Sequence, residues 1–304
     1  LLRLLTGSFL ERVSTMTQNR NLDHSKGQRH VALGKIKVVL TYVALIAIGF
    51  TMLIPFLWMV LGSFKNIREV MQFPPTFIPN EPTLSNYKEV FTRLPFARYY
   101  LNTIITSVIP TVVTVLTASM AGFGFAKYKF VGRGFIFWLI LATMMIPYPV
   151  TIVPLYVMAY RAGLVNTYTG LIVVSLSSAF GIFMMRQFCM TIPDDLLDAA
   201  RIDGSSEFGI YAKIIMPLTK PALATLTIFT FTGNWNAYIW PLLMINSDRL
   251  RTLSLAIPLF NGQYQSFPNL VYAASTMAVL PVIILFLFNQ RYFTEGIAMS
   301  GLKE

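Results

Sequence analysis

The chain has 304 residues, of which 55% are hydrophobic and 12% are charged. With a mean hydropathy of +0.61, it is too apolar for an ordinary soluble globular domain. Its formal net charge of +11 is dispersed over loops and tails without aromatic interleaving, which argues against a nucleic-acid partner and favours contact with anionic membrane lipid.

Six apolar stretches are each long enough, at about 20 residues, to cross a bilayer as a helix. In chain order they are 38–61, 101–126, 134–160, 162–185, 221–247 and about 270–289. We therefore expect an all-α membrane protein. The expected divisions are a tail over 1–37, a six-helix transmembrane domain over 38–290 and a second tail over 291–304.

The basic residues indicate the orientation of these spans. An even number of spans places both termini on one side of the membrane. Sixteen of the 24 lysines and arginines lie in the two tails and in the loops after the second and fourth spans. Because cytoplasmic loops carry the excess of Lys and Arg, we expect both termini and the loop at about 186–220 to be cytoplasmic, in a bacterial inner membrane. The loops at about 62–100 and 248–269 are then external.

Prolines mark two of the early segments. The first external loop contains five of them, which predicts an ordered but irregular segment: Pro74, Pro75, Pro79, Pro82 and Pro95. In the third span, Pro147, Pro149 and Pro154 should bend or interrupt the helix. Such a break is either a structural kink or part of a translocation path, and Tyr148 lies within it.

The polar loop at about 186–220 has the pattern of two short helices. Pro193 and the two aspartates after it suit the first turn of a helix. Leu196, Ala199 and Ala200 then recur at i, i+3 and i+4, so they form a small apolar stripe. This pattern predicts one short amphipathic helix.

A second short helix should follow after a glycine. Gly204 can adopt the left-handed backbone that ends the first helix, and Ser205 is a candidate N-cap for the second. One face of the second helix carries three apolar residues before Pro217 ends it: Phe208, Tyr211 and Ile215. Helices this short are marginal alone in water. We therefore expect them to dock on a partner surface, or else to lie on the lipid headgroups.

The same loop carries a recognisable motif, formed by Asp198, Ala199, Ala200, Asp203, Gly204, Phe208, Pro217 and Pro221. It resembles the EAA loop of ABC-importer permeases, although Asp198 stands where that family usually has Glu. The resemblance implies the type I ABC importer permease fold, with these eight residues in cytoplasmic coupling helices that dock on an ATPase. It further implies that Gly204 forms the bend between the two helices and that Pro217 directs the chain towards the membrane.

The fifth span places two amides beside aromatic rings, in the run Asn234, Trp235, Asn236 and Tyr238. Buried amides need partners in lipid, so they should face the bundle interior or a wet cavity. Aromatic faces beside amides suit sugars, but Trp and Tyr also gather at membrane interfaces for packing reasons. Together with Tyr148, these residues form a candidate substrate path.

Two further segments are similar to carbohydrate-importer permeases of the maltose-permease type. One is the external run around Leu84 and Tyr87, and the other is the C-terminus after Gln290. In that family the last external loop can project towards a solute-binding protein, which here involves Asn261, Gly262, Gln263 and Tyr264. The resemblance implies a second permease subunit, two ATPase subunits, an extracytoplasmic solute-binding protein and an oligosaccharide substrate.

Several catalytic patterns are absent from the sequence. No G-x-x-x-x-G-K-[ST] phosphate loop occurs, so we expect the chain to bind no cofactor and ATP with Mg²⁺ to bind to the partner ATPases. The spans carry no clustered carboxylates, which disfavours an ion-coupled secondary transporter. A membrane glycosyltransferase would need catalytic acids, and only the aspartates of the 186–220 loop could supply them. A non-sugar ABC permease is the remaining alternative.

Overall fold

The computed structural model describes residues 37–262 and 266–301, and within these ranges the chain is predominantly helical. It divides into two compact units, Leu1–Trp58 and Met59–Glu304. Almost all of the predicted tail at 1–37 lies outside the described residues. The same is true of Gln263, Tyr264 and the last three residues of the chain.

The first span is a single helix, α1, over Lys37–Gly62. Its threonine hydroxyls are satisfied within the helix. Thr41 donates to the carbonyl oxygen of Lys37 at 2.9 Å, and Thr51 donates to that of Ala47 at 2.8 Å. Such internal bonding suits a helix in lipid, because the bilayer interior offers no water to the polar groups.

The helices of the second unit differ widely in length. Their bounds are α2 (Ile67–Met71), α3 (Ser85–Arg93), α4 (Phe96–Lys127), α5 (Arg133–Thr143), α6 (Tyr148–Arg161), α7 (Tyr168–Ile172), α8 (Ala179–Met190), α9 (Asp194–Ile202), α10 (Glu207–Ile210), α11 (Met216–Leu218), α12 (Lys220–Trp235), α13 (Ile239–Met244), α14 (Leu253–Ala256) and α15 (Pro268–Gly301). Helix α4 and the Pro268–Tyr292 part of α15 are long and apolar enough to cross a membrane unbroken. Helix α15 also continues past the predicted end of the last span at 289.

Three other candidate spans are bent helix pairs. Helices α5 and α6 meet at 97°, α7 with its 3-10 extension meets α8 at 41°, and the segment Glu207–Leu218 meets α12 at 80°. If each pair counts as one span, the described residues supply up to six crossings by length and composition. A count of six therefore stays a prediction.

The bend between α5 and α6 falls where the prolines predict it. Pro147 precedes α6 in an extended conformation (φ −61°, ψ 134°), and Pro154 lies inside α6. Proline lacks a backbone N–H and so weakens the hydrogen-bond ladder, and at Pro147 the backbone is extended and the helical course ends. The predicted interruption of the third span is confirmed, and Tyr148 becomes the first residue of α6.

The predicted fourth span, 162–185, is displaced. Residues 162–167 form a turn, in which Gly163 has φ 68° and Asn166 has φ 58°, and helix begins only at Tyr168. A second break follows at Ser178, whose Oγ accepts a hydrogen bond from the amide of Gly181 at 3.0 Å and caps α8. Capping and left-handed backbone thus outweigh the apolar composition that suggested one continuous helix.

The predicted fifth span, 221–247, is also divided. Helix α12 ends at Trp235 and α13 begins at Ile239. The link contains Asn236, and an Asn side chain favours turns because it competes for backbone hydrogen bonds. The amide–aromatic run predicted within one span therefore forms a bend between two helices.

Glycines let α4 and α8 approach closely. A Cβ atom added at Gly122 would lie 2.5 Å from the Cβ of Met185. On the facing helix, a Cβ at Gly181 would lie 3.0 Å from that of Ala118. Small residues permit such backbone contact in membrane helix bundles. Helix α4 also packs against α12, which in turn packs against α15.

The segment between α1 and α4 contains more helix than its prolines suggested, and a buried amide anchors it. The Nδ2 atom of Asn86 donates to the carbonyl oxygens of Ser63 at 2.8 Å and Lys65 at 2.7 Å. Its Oδ1 atom accepts a hydrogen bond from Asn269 at 2.8 Å. These bonds tie α3 to the start of α15. Helix α4 then begins at Phe96, ahead of the predicted span at 101.

Candidate functional site

The loop predicted at about 186–220 contains two helical arms joined by a tight turn. We call the two arms and the turn together the elbow. The first arm is α9. The second arm runs over Glu207–Leu218 and comprises α10, a π-helical turn at Tyr211–Ile215 and α11. Pro193 was predicted to lie in the first turn of this helix, but it precedes the first arm as its N-cap residue. The carboxylates of Asp194 and Asp195 do occupy that turn, where they favour the positive end of the helix dipole.

The turn between the arms depends on glycine, as the sequence predicts. Gly204 has φ 80°, a conformation that other residues rarely adopt. Its amide donates to the carbonyl oxygen of Arg201 at 3.0 Å, and the amide of Ser205 donates to that of Ala200 at 2.9 Å. Together these two bonds form a Schellman motif, which ends the first arm and fixes the direction of the chain beyond it. Asp203 is its exposed C-cap residue.

The first arm buries a face that overlaps the predicted apolar stripe only at Ala200. Leu197 is 1% exposed and Ala200 is 8% exposed, whereas Leu196, Ala199 and Asp198 are exposed. Of the predicted apolar stripe, Ala200 is covered by the chain itself, whereas Leu196 and Ala199 stay open to a partner surface or to lipid. On a helix whose period is 3.6 residues, two adjacent stripes satisfy the same spacing, and the neighbouring helices decide which of them is covered.

The second arm differs from its prediction at both ends. Ser206, not Ser205, is the N-cap residue, and its Oγ accepts a hydrogen bond from the amide of Gly209 at 3.1 Å. Pro217 lies within the arm and does not end it, because the break comes at Thr219. Pro217 tolerates this place because the first turn of a short helix needs no bonded N–H. Pro221 lies in the first turn of α12.

An apolar cluster holds the two arms on the ends of α4 and α8. Its buried members are Phe123, Cys189, Ile192, Leu197, Ala200, Ile210, Tyr211 and Ile215. Within it the hydroxyl of Tyr211 contacts the hydroxyl of Ser119 at 2.6 Å. Both arms thus have one face packed against the transmembrane helices.

The opposite side of the elbow exposes large apolar side chains. Ile202 is 87% exposed, Phe208 is 69% exposed and Leu218 is 52% exposed. Phe208 was predicted to share a face with Tyr211 and Ile215, but those two point inward and Phe208 points outward. An elbow that is packed on one side and apolar on the other has the features of a docking surface.

Two consecutive residues at the end of α4 contact the elbow through polar groups. The Nζ atom of Lys127 lies 2.6 Å from a carboxylate oxygen of Asp194 and also donates to the carbonyl oxygen of Ile192. This hydrogen bond lowers the pKa of Asp194 below its usual value. The hydroxyl of Tyr128 donates to the carboxylate of Glu207. Burial is the larger cause that raises the pKa of Tyr128, and the carboxylate of Glu207 raises it further.

Arg201 joins the two arms. Its Nη1 atom lies 2.7 Å from Asp198 in the first arm, and its Nε atom lies 2.9 Å from Glu207 in the second. The hydrogen bond to Glu207, and to a smaller extent the one to Asp198, raises the pKa of Arg201 above its ordinary value. No site role was predicted for Lys127, Tyr128, Arg201 or Glu207. Only the i, i+3 spacing of Asp198 and Arg201 could have indicated one of these contacts.

A cavity of about 560 Å³ lies between α4, α6, α7, α12 and α13. The five predicted path residues all line it: Tyr148, Asn234, Trp235, Asn236 and Tyr238. Thr103 and Thr106 of α4 and Ser175 contribute further hydroxyls. The side chains on its wall are uncharged, so it suits a ligand recognised through hydroxyl and apolar groups.

The aromatic residues of the cavity fall into two groups. The indole N–H groups of Trp235 and Trp240 donate to the carbonyl oxygens of Ala278 and Gly170, each at 3.0 Å, and both rings are almost fully buried. Tyr148 and Tyr238 are about half exposed. The tryptophans therefore fix the wall, while the tyrosines and the exposed amide of Asn236 offer polar groups to a ligand.

The residues predicted to contact a binding protein are only partly described. Asn261 and Gly262 are exposed. Asn261 forms a backbone bridge with Ser266 and accepts a hydrogen bond from its hydroxyl at 2.8 Å. Gln263 and Tyr264 lie outside the described residues, so their predicted role stays a prediction.

Comparisons with known proteins place this geometry in context. Residues 114–298 match the family described as binding-protein-dependent transport system inner membrane component. The arabinooligosaccharides transport system permease protein AraQ of Halalkalibacterium halodurans is 36% identical over 84% of this chain and 93% of its own length. The sn-glycerol-3-phosphate transport system permease protein UgpE of Pectobacterium atrosepticum is 32% identical over 86% of this chain and 95% of its own. A crystal structure of a bacterial ABC transporter involved in the import of the acidic polysaccharide alginate contains a similar chain, with a TM-score of 0.75 and 25% identity, covering 85% of this chain and 97% of that one.

Proposed function

The chain belongs to the family of binding-protein-dependent transport system inner membrane components, and we propose that it forms half of an oligosaccharide path driven by separate ATPase subunits. As a member of this family it is a multi-pass inner-membrane permease subunit of an ABC importer. Its partners are then a second, homologous permease, two ATPase subunits that bind ATP and Mg²⁺, and an extracytoplasmic solute-binding protein. In this arrangement both termini and the elbow face the cytoplasm.

The observation that carries the proposal is the two-sided elbow. One side is buried through Leu197, Ala200 and Tyr211, so the elbow moves with the helices that it packs against. The other side exposes Ile202 and Phe208, which a partner surface would cover. Closure of the ATPases on ATP would push this surface, and the helix bundle would rock between inward-facing and outward-facing states.

The cavity supports an oligosaccharide as the solute. Its half-exposed tyrosines can stack against the apolar C–H faces of a sugar, and the amides of Asn234 and Asn236 can bond hydroxyl groups. The named substrates of two similar proteins are saccharides. A substrate with a phosphate group would need a cation, and the cavity wall has none among the residues that line it.

The docking role can be tested with Phe208→Ala. Because Phe208 is 69% exposed, its loss should leave the folded chain as stable as the wild type. We expect less ATPase subunit to co-purify with the variant. Phe229→Ala is a suitable control, since Phe229 is 57% exposed in α12, away from the elbow. Full recovery of the ATPase with Phe208→Ala would argue against docking at the elbow.

The substrate can be identified with the reconstituted complex and its binding protein. We expect an oligosaccharide to stimulate ATP hydrolysis, and we expect Asn236→Ala to raise the saccharide concentration that gives half-maximal uptake. Tyr160→Phe, in an exposed residue that does not line the cavity, should leave that concentration unchanged. Stimulation by amino acids, peptides or glycerol phosphate, and by no saccharide, would overturn the oligosaccharide assignment.

A further inference from the structure

We propose that Tyr128, Arg201 and Glu207 form a clamp that locks both arms of the elbow to the end of α4, so that motion of the elbow moves α4 as one body. These are positioning residues that act on transport through α4. The inference rests on the proposed function, because it concerns how that transport is coupled to ATP hydrolysis.

The centre of the clamp is a guanidinium shared by two carboxylates. Arg201 contacts Asp198 in its own arm and places two nitrogen atoms on the two oxygens of Glu207, at 2.9 and 3.4 Å. A planar guanidinium that bonds a carboxylate at two points fixes its direction as well as its distance. The angle between the arms is therefore held by side chains in addition to the turn at Gly204.

Tyr128 attaches this centre to α4. Its hydroxyl donates to Glu207, and its ring packs edge-on against Phe123, with centroids 5.3 Å apart. Tyr128 is also the C-cap residue of α4, where its amide donates to the carbonyl oxygen of Gly124 at 3.1 Å. The second arm is thus bonded to the last turn of the helix.

The preceding residue holds the other arm. The side chain of Lys127 is 6% exposed, and it bonds Asp194 at the start of the first arm. A buried cation without its partner would be costly, so this contact resists separation. Lys127 therefore holds the first arm and Tyr128 holds the second, although the two residues are adjacent at the end of α4.

Helix α4 extends from the clamp to the cavity as a single helix that includes Pro110. It spans Phe96–Lys127, and Thr103 and Thr106 near its other end line the cavity. At 1.5 Å per residue, the distance from Thr106 to Lys127 is about 32 Å. Displacement of the clamp would therefore reach the cavity wall through one continuous helix.

The transport test uses Tyr128→Phe and Glu207→Gln in the reconstituted complex with both ATPases and the binding protein. Tyr128→Phe removes the hydroxyl that donates to Glu207, and Glu207→Gln removes the negative charge and one of the two acceptor oxygens; both keep the size of the side chain. We expect saccharide uptake per ATP hydrolysed to fall about threefold or more, with assembly unchanged. The effect of the double variant should be smaller than the product of the two single effects, because the two groups share one bond. Arg201→Lys, which keeps the charge but loses the planar fork, should show an intermediate ratio.

A matched pair elsewhere in the chain provides the control. Glu89 and Arg93 form an exposed ion pair of 2.6 Å in α3, and Glu89→Gln should leave uptake per ATP unchanged. Wild-type ratios in both clamp variants would overturn the clamp. A fall in assembly equal to the fall in uptake would also overturn it, since that result shows a structural role only.

A distance measurement tests the clamp without any substrate. Spin labels at Leu116 in α4 and Lys213 in the second arm, both exposed, are introduced after Cys189→Ala. In the wild-type complex we expect one narrow distance distribution that ATP does not change, and in Glu207→Gln a broader one. A wild-type distance that changes with ATP, or an unaltered distribution in Glu207→Gln, would overturn the clamp. Absence of saccharide uptake by the wild type would instead overturn the proposed function, and this distance test would still apply.

Discussion

The hydroxyl of Tyr211 lies 2.6 Å from the hydroxyl of Ser119, and both residues are buried. Tyr211 belongs to the π-helical turn of the second arm, and Ser119 lies in α4 two turns before its end. The ring of Tyr211 also packs on Phe123, with centroids 6.1 Å apart. A buried hydrogen bond thus joins the elbow to α4 at a point separate from the charged contacts of the clamp.

Loss of this bond should destabilise the protein measurably. Tyr211→Phe keeps the ring and removes the hydroxyl, which leaves Ser119 with its contact to the carbonyl oxygen of Leu116 at 2.9 Å. We expect the free energy of unfolding to fall by about 0.5–1.5 kcal/mol, the usual net value of one such bond. Denaturant unfolding in detergent would measure it. Tyr160→Phe, at a 67% exposed position, is the control, and equal effects in the two variants would contradict the prediction.

Adjacent leucines in the first arm should behave very differently. Leu197 is 1% exposed and Leu196 is 48% exposed. Leu197→Ala should cost about 2–5 kcal/mol of unfolding free energy, because it opens a cavity in the apolar cluster. Leu196→Ala should leave the fold intact and instead weaken the binding of the ATPase. Thermal unfolding and co-purification separate these effects, and a destabilised Leu196→Ala would show that the exposed face is assigned wrongly.

Two nearby glycines in α4 offer a test of helix packing. A Cβ at Gly122 would lie 2.5 Å from the Cβ of Met185, whereas one at Gly124 would have no neighbour within 4 Å. Gly122→Ala should force α4 and α8 apart and lower the unfolding temperature. Gly124→Ala should be neutral or stabilising by up to about 1 kcal/mol, since alanine favours helix. A melting curve for Gly122→Ala that matches the wild type would refute the close contact.

The turn of the elbow can be probed at Gly204. Its φ of 80° disfavours any side chain, although a Cβ there would meet nothing within 4 Å. Gly204→Ala should therefore cost about 1–2 kcal/mol through backbone strain alone, and it should reduce coupling of ATP hydrolysis to uptake while membrane insertion stays normal. Asparagine tolerates this conformation better, so Gly204→Asn should retain more activity. The reverse order of the two variants would mean that space, not backbone conformation, restricts the position.

The local features of the elbow follow from the sequence. Gly204 lies at the turn and two short helices flank it, because capping and left-handed backbone depend on neighbouring residues. The break before Tyr148 also has a local signal, since Pro147 lacks an N–H group, although Pro154 lies inside α6 without ending it. An error occurred where a local signal had an equivalent one residue away, as with the N-cap at Ser206 in place of Ser205.

The long apolar stretches were less informative about helix boundaries. Composition over 162–185 satisfied the length of a span, yet Asn166 and Ser178 divide that region because their backbone conformation and capping end the helices. Over 221–247 the average hydropathy likewise gave no sign of the bend after Trp235. An average over 20 residues cannot resolve a single capping residue.

The sequence alone determined that the chain lies in a membrane and carries a glycine turn between two short helices, because hydropathy and backbone preference belong to individual residues and their neighbours. Only the tertiary structure decided which face of each arm is buried and which polar groups meet. Tyr128 and Glu207 are 79 residues apart in the chain, and Ser119 and Tyr211 are 92 apart; no local pattern encodes such pairs. Their contact follows from the packing of α4 against the elbow, which is where the coupling proposed for this permease subunit can be tested.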